Sequence, residues 1–185
     1  ELVGTMARII YAVAGEGFGH SSRAHLVGQR FLDAGHEVMF AASHKALSYL
    51  RPIYGERVKE IFGLSFSYRR GRVDAPRTFL FNLLLAMRSH SGTRRLFERV
   101  YEPFGPELVV TDFEPFSGWW AWWHGVPFIS LDNEHVLTVC RLEHPWRHVV
   151  SRAGATAVTV CNGVRAARFV VPNFFRAPLK TERAV

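Results

Sequence analysis

The sequence has few cysteines: Cys140 and Cys161 are the only two in 185 residues. That excludes a disulfide framework and fits a reducing, cytoplasmic setting. Long apolar runs are also missing. The most apolar stretches, Phe79–Met87 and Trp119–Trp123, fall well short of the ~20 residues that a membrane-crossing helix needs. No cationic segment leads an apolar run near the start, so no signal peptide is expected. Acidic residues are in deficit, with 16 Asp and Glu against 23 Lys and Arg, giving +7. Anionic partners follow: a phosphate-bearing ligand or an acidic lipid surface. Apart from Arg69-Arg70-Gly71-Arg72 and Arg94-Arg95, the basic residues are scattered. With no zinc-finger, RRM or KH motif either, nucleic acid is not an expected partner. Internal repeats and low-complexity segments are absent.

What remains is an ordinary globular composition, 48% hydrophobic and 21% charged. The run RIIYAVA at residues 8–14 is β-branched and apolar with little alternation. That pattern suits a strand covered on both faces, as in a parallel sheet. Ser21 or Ser22 is a candidate cap for the following helix. Its apolar face is Ala24, Val27, Phe31 and Ala34, and Gly35 is its stop. Further strands are expected at residues 36–42, 58–64, 107–111, 127–131 and 169–171. Helices are expected from Ser43 to Tyr54, over 78–101 and 114–124, and from Trp146 to Ala153 or beyond. Residues 69–76 read as a basic loop. Strands alternating with helices predict an α/β fold, a doubly wound and mainly parallel sheet with helices on both faces. Ligands in such sheets sit at the carboxyl ends of the strands. Three marked loops fall there: 15–20, 112–115 and 132–135.

The first of these, VAGEGFGHSSRAH at residues 13–25, resembles a dinucleotide-binding loop and then departs from it. Gly15 and Gly17 fit G-x-G-x-x-G, but His20 stands at the third glycine. The second strand ends Ala41-Ala42-Ser43, with no acidic residue for a ribose. A nicotinamide-dependent dehydrogenase is therefore a distant reading. No Gly-Lys-Ser/Thr follows, so a Walker loop is excluded. Glycines alone would serve a tight strand-to-helix turn. An imidazole at the start of a helix is a different matter. The helix dipole disfavours its cation, and a neutral imidazole serves as a general base near neutral pH. Such a base needs an acid on its other nitrogen. Asp112 and Asp132, at strand ends, are the candidates.

Four motifs together resemble the N-terminal half of a B-type glycosyltransferase with two Rossmann-like domains. They are GEGFGHSSRAH (15–25), PELVVTDFEP (106–115), GVPFISLDNEH (125–135) and FVVPNFFRAPLK (169–180). More narrowly, the chain is similar to a prokaryotic glycosyltransferase family related to MurG and the UDP-glycosyltransferases. The resemblance implies inverting transfer of a hexose-type sugar from a nucleotide-sugar co-substrate, a UDP-sugar first, to a hydroxyl of a small-molecule or lipid-linked acceptor. It implies no tightly bound cofactor and no metal. It assigns His20 as the base and Asp112 as the residue that orients it. The substrate-binding candidates on the rim are Gly15, Glu16, Gly17, Gly19, Ser21, Glu114, Asp132, Asn133 and His135. MurG-like loops continue His-x-x-Pro, whereas here His20 is followed by Ser21-Ser22-Arg23.

Residues 1–5 precede Met6 and read as a leader, 6–175 as the acceptor-side domain, and 176–185 as the start of a linker. The donor-binding C-terminal domain is then expected outside this chain, which alone would be inactive. The expected location is cytoplasmic, with a peripheral position at the inner face of an anionic membrane as the alternative. Of the tryptophans in SGWWAWWHG (117–125), some should be core and others exposed or at an interface. Cys140, His144 and His148 imitate metal-ligand spacing, but Pro145 takes Cys140 off their face, so zinc is not expected. The alternative from another class is a non-catalytic module binding a nucleotide, glycan or lipid at the same rim.

Overall fold

The computed structural model describes residues 5–63, 68–69, 72–73, 92–143, 145–163, 165–173 and 177–185. The expected apolar helix start, at residues 78–91, lies outside them, as do His144 and most of the basic loop. The chain divides into two compact units, Glu1–Pro106 and Glu107–Val185.

In the first unit, β1 (Arg8–Val13), β2 (Glu37–Ala42) and β3 (Val58–Glu60) run parallel. Only the first residue of β1 and of β2 is exposed. This explains their continuous apolar sequence, because a strand covered on both faces has no solvent side to alternate with. Helices α1 (Phe18–Asp33) and α2 (His44–Tyr54) connect them. The Phe40 ring stacks on Tyr54 at 4.4 Å and lies 6.1 Å from Tyr11. It also fills the space beside the Gly28 α-carbon, so α1 lies tight against β2. The third strand is shorter than its apolar run suggested. Basic residues 68–73 contain a two-stranded antiparallel ribbon, β4 (Tyr68–Arg69) with β5 (Arg72–Val73), where a loop was expected.

In the second unit, β6 (Leu108–Asp112), β7 (Phe128–Leu131) and β8 (Arg168–Val170) are parallel. Three helices accompany them: α3 (Pro115–Trp123), α4 (Val136–Val139) and α5 (Val149–Asn162). α5 starts three residues later than the sequence suggested, after a 3-10 turn at Trp146–His148, and ends before Gly163. The terminal residues pack beside β8, where the Phe169 N–H donates to Arg183 O and the Val185 N–H to Phe169 O. Apart from the β4–β5 ribbon, both units are α/β with parallel strands, as the alternation of apolar runs and amphipathic segments predicted.

Among the described residues no helix is long and apolar enough to cross a membrane. The tryptophans divide as expected. Trp120 is buried and stacks on His124 at 4.5 Å, while Trp123 is 70% exposed. The Arg165 guanidinium lies 5.5 Å from the centre of the Trp122 ring.

Candidate functional site

The glycine loop is the carboxyl-end rim of the first unit. Gly17, not Ser21 or Ser22, precedes α1, with φ 81° and ψ 157°. Only glycine adopts that conformation at low cost, so the turn completes itself before the serines are reached. Ser21 and Ser22 lie within α1, and their hydroxyls donate to Phe18 O and Gly19 O at 3.1 and 3.2 Å. Ser21 is buried and turned inward, so it offers a ligand no hydroxyl. Gly15 is buried against Ser43 and His44, where a methyl group would collide with both. Gly19 borders open space, and Glu16 is half-buried.

His20 sits in the first turn of α1, half-buried, and its Nδ1 lies 3.2 Å from an Arg23 guanidinium nitrogen. A guanidinium only donates hydrogen bonds, so Nδ1 accepts. Nearby, a broad cavity of about 500 Å³ is lined by Phe18, His44, Lys45, Ser48 and Tyr49. His44 has φ 46°, a left-handed conformation that is uncommon outside glycine and points to local strain. Sequence pattern singled out neither that cavity nor His44. Both arise where α1 and α2 begin side by side.

In the second unit, β6 ends on Asp112, which is fully buried. Glu114 caps α3: one carboxylate oxygen accepts from Phe116 N at 2.9 Å, the other from Ser117 N at 2.8 Å. Pro115 follows at the first helical position, which needs no N–H partner. Burial pushes the Glu114 carboxyl up, against the lowering effect of those hydrogen bonds. Its oxygens are occupied by the backbone and not turned to a ligand.

The rim after β7 corrects the sequence reading most. Asp132 and His135 are 0% and 1% exposed and hold each other. His135 Nδ1 lies 2.8 and 2.7 Å from the two Asp132 oxygens, and the His135 backbone N–H donates to Oδ1 at 2.9 Å. The Ser130 hydroxyl donates to Oδ2 at 2.7 Å. Burial pushes the Asp132 carboxyl up, but the hydrogen bonds from His135 and Ser130 outweigh it and hold it below its ordinary value. Asp132 is therefore an internal anchor for the turn that leads into α4. Of the four polar residues at 132–135, Asn133 is exposed and its carbonyl accepts from Val136 N.

The His135 ring lies 4.8 Å from Phe169 and faces the α-carbon of Gly163. A methyl group on Gly163 would collide with both rings. Gly163→Ala should therefore cost about 1–3 kcal/mol, the usual penalty of overpacking a filled core. Urea unfolding checks this, and an unchanged midpoint would show that the ring has room to move.

Among the described residues no group of three or more His, Cys, Asp or Glu is placed to hold a metal ion.

The fold has known counterparts. A glycosyltransferase from Arabidopsis thaliana, UGT89C1, solved with UDP-L-rhamnose, aligns with a TM-score of 0.59 at 13% identity, over 92% of this chain and 46% of that one. LpCGTa in complex with UDP gives the same TM-score, identity and coverage. CalG4, the calicheamicin glycosyltransferase, aligns with a TM-score of 0.52 at 16% identity, over 98% of this chain and 51% of that one. The chain thus spans about half the length of these structures and shares the Rossmann-like fold of a B-type glycosyltransferase half. No curated protein matches it. The family model for glycosyl transferase family 1 matches residues 7–185. By that match, the chain belongs to glycosyl transferase family 1.

Proposed function

We infer that the chain is the acceptor-side half of an inverting glycosyltransferase whose donor is a nucleotide sugar. The supporting observation is the placement of His20. It follows a parallel strand and a glycine turn, in the first turn of a helix, and the residue is only half-buried. Strand-end rims are where α/β folds bind ligands, and UGT89C1 and LpCGTa, which share this fold, were solved with UDP-L-rhamnose and with UDP.

In this reading His20 removes the proton from the acceptor hydroxyl, and Asp112 takes the orienting role that the family resemblance assigns to it. The oxygen then attacks the anomeric carbon, and the nucleoside diphosphate leaves with the bonding electrons. Gly15, Gly17 and Gly19 keep the rim of the first unit open for the substrate, with Glu16 on the same loop, and Asn133 is the exposed substrate-binding candidate of the second unit. UDP is the first nucleotide to try, and the donor-binding half belongs to the longer protein. The acceptor is a small molecule or a lipid-linked group. In the second case the protein works at an anionic inner membrane face, which its net charge of +7 would favour. The 185-residue chain by itself should be inactive.

Proton NMR of the longer protein's product tests the reaction class. A single direct displacement inverts the anomeric configuration of the transferred sugar. Retention would overturn the base-assisted mechanism.

A further inference from the structure

We propose that Arg23 is a positioning residue that sets the tautomer of His20. Arg23 lies one turn along α1, and one of its terminal guanidinium nitrogens is 3.2 Å from His20 Nδ1. The guanidinium has donors and no lone pair to offer, and it does not deprotonate in proteins. The bond therefore requires an unprotonated Nδ1. In a neutral ring the proton then sits on Nε2. A base acting through Nε2 needs the opposite arrangement, a proton on Nδ1 and a lone pair on Nε2. Arg23 thus holds the ring in a resting form, and the guanidinium must leave Nδ1 before Nε2 can accept a proton.

The catalytic consequence rests on the reading of His20 as the base. The tautomer itself does not. The sequence places Arg23 where this contact is natural, because side chains three residues apart share a helix face.

The same chain contains a reference. The Ala7 backbone N–H donates to His36 Nδ1 at 3.2 Å, which fixes the Nε2–H form there by the same logic. ¹⁵N-resolved NMR of the imidazoles should be recorded at about pH 8, above the ordinary histidine pKa of about 6.5. In the wild-type chain, His20 is expected to match His36, with a pyridine-type Nδ1 and a pyrrole-type Nε2. In Arg23→Met the two His20 nitrogens should converge or exchange character, while His36 stays unchanged and reports an intact fold. A pyrrole-type Nδ1 in the wild-type chain overturns the proposal, whether or not the variant folds. A folded Arg23→Met chain with the wild-type His20 pattern overturns it as well. Neither result bears on whether His20 is the base, which turnover by a His20→Ala variant of the longer protein decides.

Discussion

Asp132→Ala should destabilise the chain by about 3–5 kcal/mol, because several buried donors lose a carboxylate acceptor at about 1–3 kcal/mol each. Three donors lose their acceptor together: the Ser130 hydroxyl, the His135 backbone N–H and His135 Nδ1. All lie in residues at most 1% exposed, so water does not replace what is lost. Domains of this size lose roughly 2–4 °C of Tm per kcal/mol, so the melting point should fall on the order of 10 °C. Asp132→Asn should fall between alanine and the wild type. Its carbonyl keeps the backbone N–H, but its amide sets a donor against His135 Nδ1. A loss under about 1 kcal/mol for alanine would show that the cluster does not carry the fold.

The same carboxylate makes stability depend on acid. Its folded pKa is lowered, so the protonated form is disfavoured in the folded chain. Its contribution is fully present above the ordinary aspartate value of about 3.9. It is lost as pH falls through the depressed folded value. Urea midpoints measured downward from pH 5 should fall in the wild type. In Asp132→Asn the part of that decline due to residue 132 should disappear.

This cluster also shows where sequence reading stops. Asp132, Asn133 and His135 stand at the end of an apolar strand, where ligand-binding residues of α/β folds collect. The position was read correctly, but the direction of the side chains was not legible. Whether a polar group faces a ligand or a neighbour depends on the three-dimensional path of the chain. Here Gly163 and Phe169 supply the wall that closes over His135, some thirty residues later in sequence. Glu114 shows the same ambiguity on a smaller scale. An acidic residue before proline and a helical run is a cap signal, and that signal was available. Local backbone rules were legible where they act alone: Ser43 precedes α2 as its sequence suggested, and Gly35 and Gly125 follow their helices with φ of 84° and 69°. The failure at Ser21 has a plain cause. Gly17 tolerates a conformation that serine does not, so the helix begins four residues earlier than a serine cap would put it.

His20→Ala in the longer protein is the second large expected effect. A positioned general base contributes about 10²- to 10⁴-fold to rate, so kcat/KM should fall by at least about 100-fold. Donor affinity should stay the same, because in the proposed mechanism His20 acts on the acceptor hydroxyl. The variant should also fold, since His20 is only half-buried and stands in the first turn of α1. Asp112→Asn should reduce turnover too, but a fully buried aspartate bears on stability as well, which makes it the less direct test. The decisive measurement is therefore nucleotide-sugar-dependent transfer by His20→Ala, with donor binding measured on the same preparation. Turnover lost with donor binding kept is the predicted result, and turnover at the wild-type rate would contradict the assignment of His20 as the base.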